Sequence, residues 1–264
     1  MSTVRNPAVA GMFYPADPRE LDRMVTAMLA EAPAGGEAPK ALIAPHAGYI
    51  YSGPVAASVY ARLRGARDTI ERVVLLGPSH RVGFYGLAVP STDVFRTPLG
   101  DIPIDTARRD QLLELPQVVT MDQAHAMEHS LEVQLPFLQE LLTGFLLLPI
   151  VVGDAPAQEV AEVLERVWGG PETLIVVSSD LSHYHDYDTA RRMDTATSEA
   201  IVALQPERLG HEDACGRVPV SGLLLVARSK GLQVEMVDLR NSGDTAGPRD
   251  QVVGYGAYAF SESQ

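Results

Sequence analysis

One cysteine, Cys215, stands in 264 residues. That excludes an intrachain disulfide and any cluster held by three of the chain's own cysteines, and it fits a reducing compartment. Positive charge is also in short supply, with 21 Lys and Arg against 34 Asp and Glu, a formal charge of −13. Such a surface repels phosphate backbones, so nucleic acid is not expected as a partner. Long apolar runs are missing too. The longest, Phe145 to Val152, falls far short of the roughly 20 residues a spanning helix needs. The opening MSTVRNPAVAGMFYPADP lacks the charged-then-apolar layout of a signal peptide. No membrane association and a cytoplasmic location are the expectation. Repeats, low-complexity tracts and linkers are absent, and one domain over residues 1–264 is expected.

What is present reads as alternating strands and helices. Asp17 can cap a helix that Pro18 opens, with Glu20 where a capping-box acid would stand and Leu21, Met24, Val25, Met28 and Leu29 on one face. Continuously apolar runs at 41–44, 73–76, 146–152 and 173–177 predict strands covered on both faces. Helical patterns occupy 55–63, 106–115, 130–142, 157–167, 188–204 and 220–230, and late strands, edge or antiparallel, are predicted at 233–239 and 255–260. The alternation predicts an α/β fold with a mixed, largely parallel central sheet flanked by helices.

Three of the apolar runs end in ionisable residues. LIAPHAG delivers His46, VVLLGPSH delivers His80, and LIVVSSDLSH delivers Asp180 and His183. Ligands of open α/β sheets bind beyond the carboxyl ends of the strands, so these residues can meet in one crevice. A lone histidine after a strand is ordinarily a hydrogen-bonded loop residue; three such ends together make that a poor account. Gly48 and Gly53 are expected as turns that let a ligand approach. Imidazole is the commonest metal ligand, and a mononuclear site needs a third donor. His183, Asp180, His129, Glu132 and Cys215 are the candidates. Cys215 precedes a helix that Pro219 opens, where the helix field favours a thiolate, although on spacing alone a small buried core residue, the commoner fate of a lone cysteine, is the reading slightly ahead. His129 would cap its helix or orient a ligand. Phe13, Tyr14, Tyr49 and Tyr51 would line an aromatic wall, or simply pack. His125, His185 and His211 are expected to be solvated.

In order along the chain stand AGMFYPADP, APHAGYIYSG, LLGPSH, DVFRTPLG, EHSLEVQLPFL, VVSSDLSHY, CGRVPV and GYGAYAF. Together they resemble the Memo family, whose bacterial members are called protein B of the AmmeMemoRadiSam system. The resemblance implies a fold like that of class III extradiol ring-cleavage dioxygenases, which are non-haem iron enzymes. It also implies a metal held by His46, His80 and Cys215, with Asp180 and His183 as the polar pair beside it. Iron(II) or copper would be the ion, or zinc. Where the dioxygenases use two histidines and a carboxylate, the third donor here would be a softer thiolate, which changes the metal's electronics. His183 would serve as the base, and Asp180 would orient it.

The expected function is a cytoplasmic metal-dependent, dioxygenase-like oxidoreductase acting on a small aromatic molecule. The resemblance implies work beside a radical-SAM protein and an AMMECR1-like protein. The alternative is a scaffold or adaptor that holds a metal or a peptide without turnover. Zinc-assisted hydrolysis is a third reading.

Overall fold

Burial on both faces makes the apolar runs into strands. The computed structural model describes residues 3–33 and 35–262. In chain order its strands are β1 (Val4–Arg5), β2 (Ala41–Ala44), β3 (Arg72–Pro78), β4 (Leu87–Val89), β5 (Val94–Thr97), β6 (Gly100–Pro103), β7 (Val118–Thr120), β8 (Leu146–Val152), β9 (Thr173–Ser178), β10 (His183–His185), β11 (Gln233–Asn241) and β12 (Val252–Ser261). The helices are α1 (Pro18–Glu31), α2 (Tyr49–Tyr60), α3 (Thr106–Leu112), α4 (Asp122–Ala126), α5 (Leu135–Leu141), α6 (Ala157–Val167), α7 (Tyr187–Val202) and α8 (Arg217–Lys230).

The main sheet pairs in the order β10-β12-β2-β9-β3-β8-β4-β7, with β11 along the edge of β12 opposite β2 and β10. Its centre, β2-β9-β3-β8, is parallel. Antiparallel pairings join β12 to β2, β10 and β11, and β4 to β8. The sheet is therefore mixed, with a parallel heart, and the late strands are antiparallel as expected. A second sheet, β1-β5-β6, is built from strands too short for their pattern to show in sequence.

Alternate residues of the central strands feed two cores. Leu42, Ala44, Leu75 and Val176 pack with α1, α2 and α5, while Ile43, Val74, Leu76 and Val177 pack with α6, α7 and α8. Each fully buried side chain of this kind contributes about 1.5–3 kcal/mol relative to exposure. A polar residue among them, such as Ser178, therefore needs partners. Among the described residues no helix is long and apolar enough to cross a membrane.

Two local expectations change. The helix predicted from Val55 begins six residues earlier, at Tyr49, and runs through Pro54. Nearly every residue from Ser52 to Tyr60 is buried, so packing on all sides outweighs the break a proline signals. Gly53 thus lies inside a helix rather than at a turn. A Cβ there would stand 2.5 Å from Met28 Sδ, so the glycine permits the close crossing of α1 and α2. Asp17 caps α1 as expected, accepting from the Glu20 N–H at 2.9 Å, with Leu21, Val25 and Leu29 buried.

Candidate metal centre

The parallel heart of the sheet places its carboxyl ends side by side. His46 follows β2, His80 follows β3 and Asp180 follows β9, while Cys215 lies just before α8, with Gly216 as the helix cap. The donor atoms of His46, His80 and Cys215 all lie within 4.8 Å of one another. Cys215 Sγ is 3.3 Å from His46 Nε2, and the His46 and His80 rings meet edge to face at 5.1 Å.

Hydrogen bonds decide which nitrogen of His46 faces the sulfur. Gln134 Nε2 touches the Pro45 carbonyl at 3.0 Å and Ser178 Oγ at 2.7 Å, while its Oε1 accepts from Tyr60 Oη at 2.8 Å. A group beside a carbonyl must donate, so Ser178 Oγ accepts from Gln134. Ser178 spends its own proton on the Ser130 carbonyl at 2.6 Å. The remaining contact, His46 Nδ1 at 2.9 Å, can then only be a donor to Ser178. Nε2 keeps its lone pair and points it at Cys215. Burial, with the nearby imidazoles of His80, His129 and His183, pushes the His46 pKa well below its ordinary value, so the ring is neutral.

His80 is held in a matching way. Its Nδ1 donates to Glu128 Oε1 at 2.8 Å and its backbone N–H to Glu128 Oε2 at 2.6 Å. The Ser130 N–H adds a third bond to the carboxylate. Burial works against ionisation of Glu128, but these hydrogen bonds overcome it and pull the carboxyl down to about 2. A carboxylate on Nδ1 leaves Nε2 as the outward donor of His80, an arrangement that orients metal-binding histidines generally.

Asp180 takes a different place from the one expected. Its Oδ1 accepts from the His46 N–H at 2.7 Å, and its own N–H donates to Cys215 Sγ at 3.3 Å. Burial raises its carboxyl to about 7, against the pull of the His46 and Ala47 N–H groups. Its bonds thus serve His46 and Cys215, whereas His183 is held by the Leu181 carbonyl. His183 is half-buried, and burial lowers its pKa, which keeps it neutral. Beside it Tyr184 adopts left-handed backbone, φ 63°, where β10 shifts register against β12.

The Cys215 thiol is pushed up, by burial first and by Asp180 second. The helix N-terminus expected to favour a thiolate is present, but burial outweighs it. A cation would reverse that balance, since a coordinating thiol loses its proton. The donor set fits a single transition metal ion. Nitrogen and sulfur donors sharing one tetrahedral ion stand about 3.5 Å apart, close to the 3.3 Å found here, and both imidazoles offer unprotonated nitrogens.

Other candidates settle elsewhere. Glu132 is no donor to the centre: it pairs with Arg5 and accepts from the Ala8 and Val9 N–H groups and Tyr14 Oη. Tyr14 and Tyr49 do not line the crevice; both are buried, with hydroxyls on Glu132 and the Val133 carbonyl. Phe13 does reach it, packing 4.6 Å from the His129 ring. His129 stacks on His80 at 4.5 Å, and burial lowers its pKa to about 4. His80, Glu128 and His129 form a second close group of donors. His125, expected in solvent, is buried with Nε2 on the Ala88 carbonyl. The short β4 that supplies this acceptor gives no signal of its own in the sequence.

Glu128, Ser178 and Gln134 escape a reading by motif, because each acts through a partner 44 to 132 residues away. A signal did exist for two of them. Ser178 ends an apolar strand and Gln134 interrupts an apolar run, and a polar residue in such a place demands a partner.

A family model described as Memo-like protein matches residues 5–259. A MEMO1 family protein of Aquifex aeolicus is 40% identical over 266 residues, covering 96% of this chain and 97% of that one. Another, of Archaeoglobus fulgidus, is 37% identical over 273 residues, covering 97% and 99%. Among solved structures, an uncharacterized protein of Escherichia coli K12 superposes with a TM-score of 0.57 at 12% identity, covering 83% of this chain and 98% of that one. At that identity the likeness concerns the fold.

Proposed function

The chain belongs to the Memo family, and we propose that it is a metal-dependent oxidoreductase whose single ion is held by His46, His80 and Cys215. The observation that carries this reading is the convergence of three donors within 4.8 Å, two of them imidazoles whose other nitrogen is already engaged. Iron(II) or copper, when bound, would supply one-electron chemistry and Lewis acidity, with the thiolate favouring the softer ion.

The chain's own residues supply the rest. His183 has one ring N–H on the Leu181 carbonyl, so its second nitrogen carries a lone pair and can take a proton from an acidic substrate hydroxyl. Its neutrality suits a base. Asp180 fixes the His46 backbone and steadies Cys215 through its N–H. Phe13 and His129 offer flat faces against which a phenolic ring can stack. Work beside radical-SAM and AMMECR1-like proteins in the cytoplasm completes the proposal.

The test uses protein purified without an affinity tag. Elemental analysis should find about one equivalent of metal, and Cys215→Ser should lower that content while the circular dichroism stays unchanged. Unchanged metal content would remove Cys215 from the ligand set. Iron-loaded protein given phenolic substrates under controlled oxygen should consume O₂, and His183→Gln should abolish that uptake. Stoichiometric metal with no uptake for any phenol would favour the second reading, storage or delivery of a metal, for which the soft sulfur of Cys215 is the supporting feature.

A further inference from the structure

Cys215 has a second side. A cavity of about 230 Å³ is lined by Cys215 together with Ser79, Val82, Phe84, Val152 and Val218. It lies across the carboxyl ends of β3 and β8. His183 opens β10, which pairs with the start of β12 on the same edge as β2, beyond the carboxyl end of β2. His183 thus stands against β12 while the cavity lies at β3 and β8, and in the order β12-β2-β9-β3-β8 the two flank the donor set from different sides.

The walls define what can enter. Val82, Phe84, Val152, Val218 and Pro219 make them mainly apolar. The Ser79 hydroxyl is spent on the Val82 carbonyl at 2.6 Å. Asp154 belongs to the lining and is exposed to solvent, so an anion meets a like charge there. A larger cavity, about 500 Å³, lies at the opposite, amino ends of the strands around Lys40. There the ammonium is spent on the carbonyls of Trp168, Gly170 and Thr173, and among the described residues no close group of three metal donors is found beside it.

We propose that the cavity behind Cys215 admits a small, uncharged, mainly apolar reactant to the sulfur side of the centre, while the bulkier substrate meets His183 on the other. For an oxidoreductase, dioxygen is the reactant of this class. The inference rests on the reading of Cys215 as a metal ligand.

Access can be timed on metal-free protein by intact-mass measurement of Cys215 alkylation. In the unaltered chain iodoacetamide, which is neutral, should outpace iodoacetate by at least about 10-fold more than it does on free cysteine, and Asp154→Asn should narrow that gap. Val218→Trp and Val82→Trp fill the cavity from two different elements, and each should slow iodoacetamide at least about 10-fold. An unfolded variant would react faster, so loss of structure cannot imitate that result. No added preference for the neutral reagent, or rates within about twofold of the parent in both tryptophan variants, would overturn the proposal. Metal content of the same preparations reports separately on the ligand assignment, so the two readings fail separately.

Discussion

Glu128 and Glu132 are four residues apart, both almost wholly buried, and they do different work. Glu132 gathers the N-terminal segment: Arg5, the Ala8 and Val9 N–H groups and the Tyr14 hydroxyl all converge on it. Glu128 turns the other way and holds His80 through two bonds. One carboxylate is a tie between distant chain segments, the other a setting for a metal donor. The same residue type on one short stretch therefore carries fold stability or site chemistry according to which neighbour the topology brings up. Arg5 links the two, since it also donates to the Glu128 carbonyl at 2.8 Å.

The contrast can be broken first at its structural end. Glu132→Ala leaves the Arg5 guanidinium buried without its partner, and stability should fall by about 3–5 kcal/mol, read as a lower urea midpoint. A loss below about 1 kcal/mol would show that Glu132 is not a tie. His125 belongs to the same half and gives it a pH signature. Burial is the main cause that lowers its pKa to about 4, with Arg5 adding to it against the Ala88 hydrogen bond. The unfolded chain protonates this ring near 6.5. Stability from His125 is thus full above pH 6.5 and lost as pH falls toward 4, by about 3 kcal/mol. His125→Gln should flatten that part of the stability–pH curve, and an unchanged slope would refute the assignment.

At the site end, Glu128→Gln should weaken metal binding by about 10–100-fold, with a smaller change in unfolding midpoint than Glu132→Ala produces. Competition with a chromophoric chelator measures the first effect, and equal affinity would show that His80 needs no carboxylate. Tyr14→Phe is the finest probe. It removes one hydrogen bond to Glu132 and should cost about 1–2 kcal/mol of stability, while leaving metal affinity within about twofold. A larger loss of metal would return Tyr14 to the crevice wall, where its place in the sequence first suggested it.

Much of this was legible before any coordinates. The strand at 41–44 and the one at 146–152 match their predicted bounds, because a strand covered on both faces writes its burial as an unbroken apolar run. The helix at 157–167 does so by its period. His46 and His80 were nameable because each follows an apolar strand in a turn that carries proline, while Cys215 joined them through the resemblance to the Memo family. Their surroundings were not. Whether Glu128 or Glu132 meets a histidine depends on the pose of one turn of chain, which neither period nor composition records. The resemblance pairs Asp180 with His183, yet β9 delivers it to His46, which follows the neighbouring strand.

His46 and Cys215 are separated by 169 positions. At the usual pace of synthesis, about 5–20 residues per second, the histidine waits roughly ten to thirty seconds for its sulfur partner to be made. Until then the emerging chain lacks the sulfur donor of the set, and its sheet is still missing β11 and β12. On the proposed reading, metal loading accordingly belongs to the finished fold rather than to the nascent chain.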